Sequence, residues 1–281
     1  MLEVINVSKT FGKNQVLDGV NLSLRGGTIT GLIGPNGCGK TTLLKILLTL
    51  IRKYGGNVIY KQGASIAGII EDPGFFGFLT GRENLIYLMN GRGMPHLDDY
   101  VEVLKMTEYI DQKVGKYSRG MRQRLALLYI LLLDVDIIIL DEPTNGLDPE
   151  GIAQFKTLMI REKEKGKCIL ISSHLLNELA FCDEVYLLYQ GKVKKIMAHE
   201  HADKTQMVFT FVSSVQAKQA ALSLEIPYEI NGNELLLILN KKDVPEWVKK
   251  LAPFDLVSVY EKDVSLVDLY LKEIVGDHHV S

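Results

Sequence analysis

Residues Thr28-Ile-Thr-Gly-Leu-Ile33-Gly34-Pro35-Asn36-Gly37-Cys38-Gly39-Lys40-Thr41-Thr42 decide how the rest of the chain is read. Thr28 to Ile33 form a short apolar strand, and a glycine-rich turn comes directly after it. From Lys40 onward Leu43, Leu44, Leu47, Leu48 and Ile51 fall on or near one face at helical spacing, which predicts a helix over Lys40–Ile51. Gly34 to Thr41 match G-x-x-x-x-G-K-[ST] in the strand–loop–helix setting that pattern requires. Glycines there let successive backbone N–H groups converge on a phosphate, and the helix after them adds its positive N-terminal end. Lys40 is placed to reach the β- and γ-phosphates and the Thr41 hydroxyl to hold Mg²⁺. Gly34, Pro35, Asn36, Gly37, Cys38, Gly39, Lys40, Thr41 and Thr42 are therefore read as nucleotide-binding positions. Cys38 reads as a small space-filler rather than a redox sensor, since nothing near it in sequence argues for that role.

Working outward, Leu2, Val4, Val16, Val20, Leu22 and Leu24 alternate in strand fashion, with Gly12 and Gly26-Gly27 as turns. From Gly81 to Leu133 apolar residues recur at helical spacing, as in Glu83–Met89 and Val101–Tyr109, and predict a mainly helical insertion over about 79–133. Ile137-Ile-Ile-Leu140 is a β-branched run too short for a helix and reads as a central parallel strand. Helix Glu150–Lys165, strand Cys168–Ser172, helix Leu175–Phe181, and strands Glu184–Tyr189 and Lys192–Ile196 come next. Strands alternating with helices mean an α/β sheet. The pattern changes near Ala198-His-Glu-His-Ala-Asp203. Beyond it, strands Val208–Val212, Tyr228–Ile230, Glu234–Leu239 and Leu256–Tyr260 and helices Val215–Leu224, Asp243–Leu251 and Leu266–Val275 suggest a small α+β layer of the split βαβ kind. The expected division is a larger domain over 1–205 and a smaller one over 206–281.

The chain has 281 residues, and 32 Lys and Arg against 34 Asp and Glu give a formal net charge of −2. That balance does not describe a surface built to bind nucleic acid. Cys38, Cys168 and Cys182 form no C-x-x-C pair, so neither a disulfide framework nor a zinc site is expected. Met1-Leu-Glu-Val-Ile-Asn6 has no basic stretch leading into an apolar run, so no signal peptide is expected. The most apolar stretch, Leu125 to Leu140, is interrupted by Asp134 and Asp136 and falls short of a spanning helix of about 20 residues.

Asp141-Glu142 closes the β-branched strand. One carboxylate at a strand end suits Mg²⁺, held through water, and a neighbouring one suits orienting or deprotonating an attacking water. Immediately after the pair stands Pro143-Thr-Asn-Gly-Leu-Asp148-Pro149. With these residues in order from Phe11 to His174, the chain resembles an ATP-binding-cassette (ABC) ATPase. Tyr117-Ser118-Arg119-Gly120-Met121-Arg-Gln-Arg124 stands where that family carries its Leu-Ser-Gly-Gly-Gln signature; Ser118 and Gly120 match, while Tyr117, Arg119 and Met121 depart. The resemblance implies ATP as ligand with Mg²⁺, and implies that Ser118 and Gly120 close over the nucleotide of a second subunit. It implies further that Asp148 touches the opposite phosphate loop, that His174 contacts the γ-phosphate, and that Phe11 stacks on adenine. For Phe11 a place in the core is the competing reading. Glu71 falls where many members carry Gln, and as a hard oxygen ligand it joins Thr41 and Asp141 as a Mg²⁺ candidate. Glu142 and His174 are the catalytic candidates.

Glu71-Asp-Pro, Tyr-Ser-x-Gly-Met-x-Gln-Arg and Asp-Glu-Pro-Thr-Asn-Gly-Leu-Asp-Pro together look most like the bacitracin-resistance and lantibiotic self-protection branch. The resemblance implies the ATPase of an exporter whose multi-span membrane subunit is a separate polypeptide. The chain would then sit in the cytoplasm on the inner face of the membrane, paired with a second copy or a homologous cassette. Phe75, Phe76 and Phe78 fall where the family receives a short helix of that subunit, although a packed core would also use three Phe. The alternative is a cassette ATPase acting on ribosomes or nucleic acid. Those relatives fuse two cassettes or insert a long coiled coil, and neither is present, so no nucleic-acid partner is expected. Residues 206–281 have three readings: regulation, dimerisation and stabilisation.

Overall fold

A computed structural model describes residues 1–71, 74–196, 204–224, 226 and 228–262. Two compact units divide the chain, Met1–Ile196 and Met197–Ser281, a boundary earlier than 205/206.

The first unit opens with β1 (Leu2–Phe11) and β2 (Asn14–Leu24), succeeded by β3 (Thr28–Ile33), α1 (Lys40–Leu47), β4 (Gly55–Tyr60) and β5 (Ile66–Ile69). Helices α2 (Gly81–Met89), α3 (Leu97–Val103) and α4 (Arg119–Leu133) form the helical insertion. The chain then runs through β6 (Ile137–Asp141), α5 (Pro149–Glu164), β7 (Cys168–Ser173), α6 (Leu176–Leu179), β8 (Glu184–Tyr189) and β9 (Lys192–Ile196). Strands β2, β1 and β4 make an antiparallel sheet in that order. The second sheet has the order β5-β6-β7-β3-β8-β9 and is parallel except for β9, which runs antiparallel to β8. Leu2, Val4 and Val7 of β1, Leu22 and Leu24 of β2 and Leu43, Leu44 and Leu47 of α1 meet Ile137, Ile139 and Leu170 in one buried cluster. All four residues Ile137–Leu140 are buried, as the β-branched run requires of a strand covered on both faces. β4 and β5 are strands that the sequence reading leaves unassigned.

Two helices stop earlier than their apolar spacing suggests, for the same physical reason. α1 ends at Leu47 rather than Ile51 because Thr49 turns left-handed at φ 60°. The Thr49 N–H then donates to Ile46 O (2.9 Å) and the Leu50 N–H to Lys45 O (2.9 Å). These are the paired bonds of a Schellman stop, which usually carries Gly at the left-handed position. α3 ends at Val103, not Tyr109, in the same way: Lys105 has φ 54°, its N–H donates to Glu102 O (2.9 Å), and the Met106 N–H to Val101 O (2.8 Å).

The second unit contains β10 (Lys204–Phe211), α7 (Ser214–Leu222), β11 (Tyr228–Asn231), β12 (Glu234–Asn240), α8 (Val244–Leu251) and β13 (Leu256–Lys262). The strand order β11-β12-β10-β13, antiparallel throughout, puts β12 between β10 and β11 and β10 between β12 and β13. Each helix thus joins two parallel strands split by a third, the split βαβ arrangement. Phe209, Phe211, Leu235 and Leu237 pack against Ala217, Ala220 and Ala221 of α7 and Leu251 of α8. The expected helix Leu266–Val275 and the segment Ala198–Asp203 lie outside the described residues. Among the described residues no helix is long and apolar enough to cross a membrane.

Thr49→Gly removes the cost of holding a β-branched residue left-handed, less the extra freedom glycine has in the unfolded chain. Urea unfolding should show a gain of about 0.5–1 kcal/mol; a loss would mean that the Thr49 side chain stabilises this turn.

Candidate functional site

The parallel strands end together, so the residues that leave them gather at one edge. Register pairs Ile33 of β3 with Ser173 of β7, and Asp141 of β6 with Ser172 of β7. Ile69 of β5 pairs with Leu140 of β6. The loop Gly34–Gly39 leaves β3 here, Glu142 leaves β6, His174 leaves β7 and Glu71 stands two residues past β5. This carboxyl edge is where open α/β sheets place their ligand sites.

Gly39 caps α1 at φ 109°, a conformation reserved for glycine, and offers no side chain to the helix's first amides. Those amides are free to serve an anion. Lys40 is only 5% exposed. Its ammonium donates to Gly34 O (2.6 Å) and Pro35 O (3.3 Å) and lies 3.9 Å from Glu142 Oε1. The Thr41 hydroxyl donates to Asp141 Oδ2 (2.8 Å), and the Ser172 hydroxyl donates to Asp141 Oδ1 (2.5 Å). Glu142 adopts φ 46°, and its N–H donates to Ser172 Oγ (3.0 Å) and Ser172 O (3.2 Å). Asn145 Nδ2 donates to Glu142 Oε2 (2.5 Å). His174 Nδ1 lies 3.3 Å from Glu142 Oε1 but is enclosed without the angle of a hydrogen bond. Glu71, also left-handed at φ 62°, accepts from Lys45 Nζ of α1 (2.6 Å).

These groups surround a cleft of about 340 Å³, lined by Thr41, Glu71, Asp141, Glu142 and Asn145 together with Arg119 and Gln123 of α4. Ser118, Gly120 and Asp148 line a second cleft of about 290 Å³ with Tyr109 and Met121. Ser118 caps α4, its Oγ accepting the Met121 N–H (3.2 Å). A Cβ on Gly120 would lie 2.5 Å from Gly146 O, so only glycine lets α4 approach the Asn145–Asp148 loop. Asp148 caps α5 through the Gly151 N–H (3.1 Å) and pairs with Arg124 Nη2 (2.8 Å). The Gly151 amide first, and then Arg124, hold its carboxyl below the usual aspartate range despite some desolvation. Phe11 is 49% exposed at the end of β1, which removes its core reading, and Lys9 Nζ lies 4.6 Å from its ring centroid. Phe76 and Phe78 are likewise exposed, with the Phe76 ring 5.7 Å from Phe78 and 5.1 Å from Tyr87; Phe75 is half-buried.

Sequence reasoning missed Ser172, which anchors Asp141 and receives the Glu142 amide. Its signal was a hydroxyl at the end of the apolar run Cys168-Ile-Leu-Ile171. Gln123 was also missed; its Nε2 donates to Pro143 O (3.0 Å) from a buried position on α4.

A phosphate-binding loop leading into a helix, with a Thr–Asp pair and an adjacent glutamate at the carboxyl edge of a parallel sheet, defines a nucleoside-triphosphate hydrolase. The family described as ABC transporter matches residues 17–145. An uncharacterized ABC transporter ATP-binding protein of Bacillus subtilis, YhcH, is 35% identical over 99% of this chain and 96% of its own length. The bacitracin transport ATP-binding protein BcrA of Bacillus licheniformis is 32% identical over 98% of each chain, and the lantibiotic transport ATP-binding protein SrtF of Streptococcus pyogenes is 32% identical over 74% of this chain and 96% of its own. Among solved structures, an ATP-binding subunit of an ABC transporter covers 70% of this chain and 90% of its own, with a TM-score of 0.65 and 28% identity. A dimeric ATP-binding cassette in a post-hydrolysis state with ADP and Pi covers 71% of this chain and 99% of its own, with a TM-score of 0.60 and 26% identity. The chain belongs to the ABC transporter family: it is an ATP-binding subunit whose cassette hydrolyses ATP. These relatives favour transport over a ribosome or nucleic-acid role.

Burial raises the Cys38 thiol above its ordinary value near 9.0, only partly offset by Lys40. It pushes Cys168 to about 11 and Cys182 to about 12. Because the thiolate is the reactive form, alkylation at pH 7 should be slow and should accelerate as pH rises past 9. Mass spectrometry should find Cys38 labelled first, with ATP slowing it, and the other two only after unfolding. Equal labelling of Cys168 in the native protein would contradict the burial described here.

Proposed function

We propose that this chain is the energising subunit of an ABC exporter of the bacitracin and lantibiotic type, working as a head-to-tail dimer with a separate multi-span membrane subunit. The observation that carries the nucleotide chemistry is the cleft in which Thr41, Asp141, Glu142 and Glu71 meet beside the phosphate loop. Lys40 exchanges its contacts with Gly34 O and Pro35 O for the β- and γ-phosphates, while loop amides from Gly34 to Thr42 hold the remaining oxygens. Phe11, exposed, stacks on adenine. Glu142, oriented by Asn145, takes the proton of the attacking water, and His174, beside it, contacts the γ-phosphate.

No group of three His, Cys, Asp or Glu among the described residues is arranged for a metal. That suits Mg²⁺ brought in on phosphates and needing only one or two protein oxygens. Thr41, Asp141 and Glu71 present hard oxygen donors at the cleft and would hold it; bound there, Mg²⁺ neutralises charge on the phosphate oxygens.

Ser118 and Gly120 open onto a cleft separate from the one beside Lys40, which supports their closing over the nucleotide of a second subunit. Asp148, which lines the same cleft, touches that subunit's phosphate loop. The exposed Phe76, Phe78 and Tyr87 receive a short helix of the membrane subunit, which would hold the cassette on the inner face of the membrane. The cassette and the C-terminal α+β part fold as separate domains.

With a non-hydrolysable ATP analogue, the wild type should elute from size exclusion as a dimer, and Ser118→Arg as a monomer that still binds the analogue. Loss of the helix cap should cost about 1 kcal/mol, a few degrees in Tm. A Ser118→Arg protein that dimerises normally would overturn the head-to-tail arrangement.

A further inference from the structure

The start of α4 looks two ways. Ser118, Gly120 and Met121 line the smaller cleft, whereas Arg119 and Gln123, four residues apart and so on one face of the helix, line the cleft that holds Thr41, Asp141 and Glu142. Arg119 is exposed, and among the described residues its guanidinium has no hydrogen-bond or ion-pair partner. Its stem lies along Gly146: a Cβ on that residue, which has φ 87°, would meet Arg119 Cγ and Cδ at 3.2 Å. A cation at the first position of a helix opposes the helix dipole. Its placement therefore needs another reason.

Charge in the cleft supplies one. Three carboxylates, Glu71, Asp141 and Glu142, line a space that must take a polyphosphate. Lys45 is engaged by Glu71 at 2.6 Å, and Lys40 is folded onto loop carbonyls. Arg119 is the unengaged cation in the lining of the same cleft. Its guanidinium is planar, always charged and suited to two phosphate oxygens at once.

We infer that Arg119 binds the terminal phosphate of the nucleotide held by its own subunit, so that one turn of α4 serves two nucleotides: its own through Arg119, the partner's through Ser118 and Gly120. This rests on the proposed nucleotide site, and it adds a positioning cation where the family signature carries glycine. The same cation offsets the extra carboxylate at Glu71.

The decisive measurement is binding to the monomer, where no partner contributes. Calorimetric titration with ADP and with a non-hydrolysable ATP analogue, at protein concentrations below those at which size exclusion shows the analogue-bound chain to dimerise, gives the preference for the extra phosphate. Arg119→Ala should lower that preference about tenfold while leaving ADP affinity unchanged, and Arg119→Lys should restore part of it. Ser118→Ala, acting on the partner's nucleotide, should leave the monomer's preference untouched. In the dimer, Arg119→Ala should slow hydrolysis by an order of magnitude or more, since a guanidinium on the transferring phosphoryl acts in the transition state. An unchanged ATP-over-ADP preference in Arg119→Ala, with wild-type binding intact, would overturn the inference alone. A wild type that binds neither nucleotide would overturn the phosphate-loop reading and this inference with it. Thermal unfolding of each variant separates a loss of binding from a loss of fold.

Discussion

Everything at the carboxyl edge of the parallel sheet is built around the Asp141 carboxylate. It accepts from the Thr41 hydroxyl on one oxygen and from the Ser172 hydroxyl on the other. Those two bonds tie the first turn of α1 to β6 and β7. A partly buried carboxylate needs partners for its oxygens, and charge-assisted hydrogen bonds are stronger than neutral ones. Ser172 also takes the Glu142 amide through both its hydroxyl and its carbonyl. The turn that throws Glu142 into the cleft, left-handed at φ 46°, therefore rests on the same serine that fixes its neighbour.

A second tie joins the helical insertion to this edge. α4 reaches the segment after β6 at three points: Gln123 on Pro143 O, Gly120 against Gly146 O, and Arg124 on Asp148. Arg124 also donates to Leu104 O (3.0 Å), which brings in the end of α3. The backbone contact at Gly120 leaves no room for a side chain. Displacement of α4 must consequently be felt by the Pro143–Asp148 segment, one residue beyond Glu142. Both clefts draw lining residues from this one junction: Arg119, Gln123 and Asn145 for the larger, Gly120, Arg124, Gly146 and Asp148 for the smaller.

Legibility in the sequence tracked how local each cause was. Gly34–Thr41 and Ile137–Leu140 announce themselves because each needs only its own residues: glycines for a phosphate turn, β-branched side chains for a strand covered on both faces. The split βαβ order of β10 to β13 was readable from alternating strands and helices. The stops at Thr49 and Lys105 were not, because a threonine and a lysine occupy left-handed positions that glycine would have marked. β4 carries Gly55-Gly56-Asn57 and mixed exposure, and β5 has only four residues, so neither offers a clear period. At the site, the phosphate-loop and strand-end carboxylate positions could be read from motif alone. Ser172, Gln123 and the cleft-facing Arg119 depend on which strands and helices become neighbours, and one sequence does not display that.

In the proposed site Glu142 acts on the attacking water and takes no part in holding the nucleotide, which falls to the phosphate loop, Phe11 and Arg119. Glu142→Gln keeps the size of the side chain and a partner for Asn145, and removes the basic carboxylate. ATP turnover and ATP affinity measured on the same preparation separate the two roles. Turnover should fall by about two to four orders of magnitude, the usual worth of a positioned general base, with affinity unchanged. Turnover at the normal rate would contradict the account and move the proton transfer to Glu71 or His174.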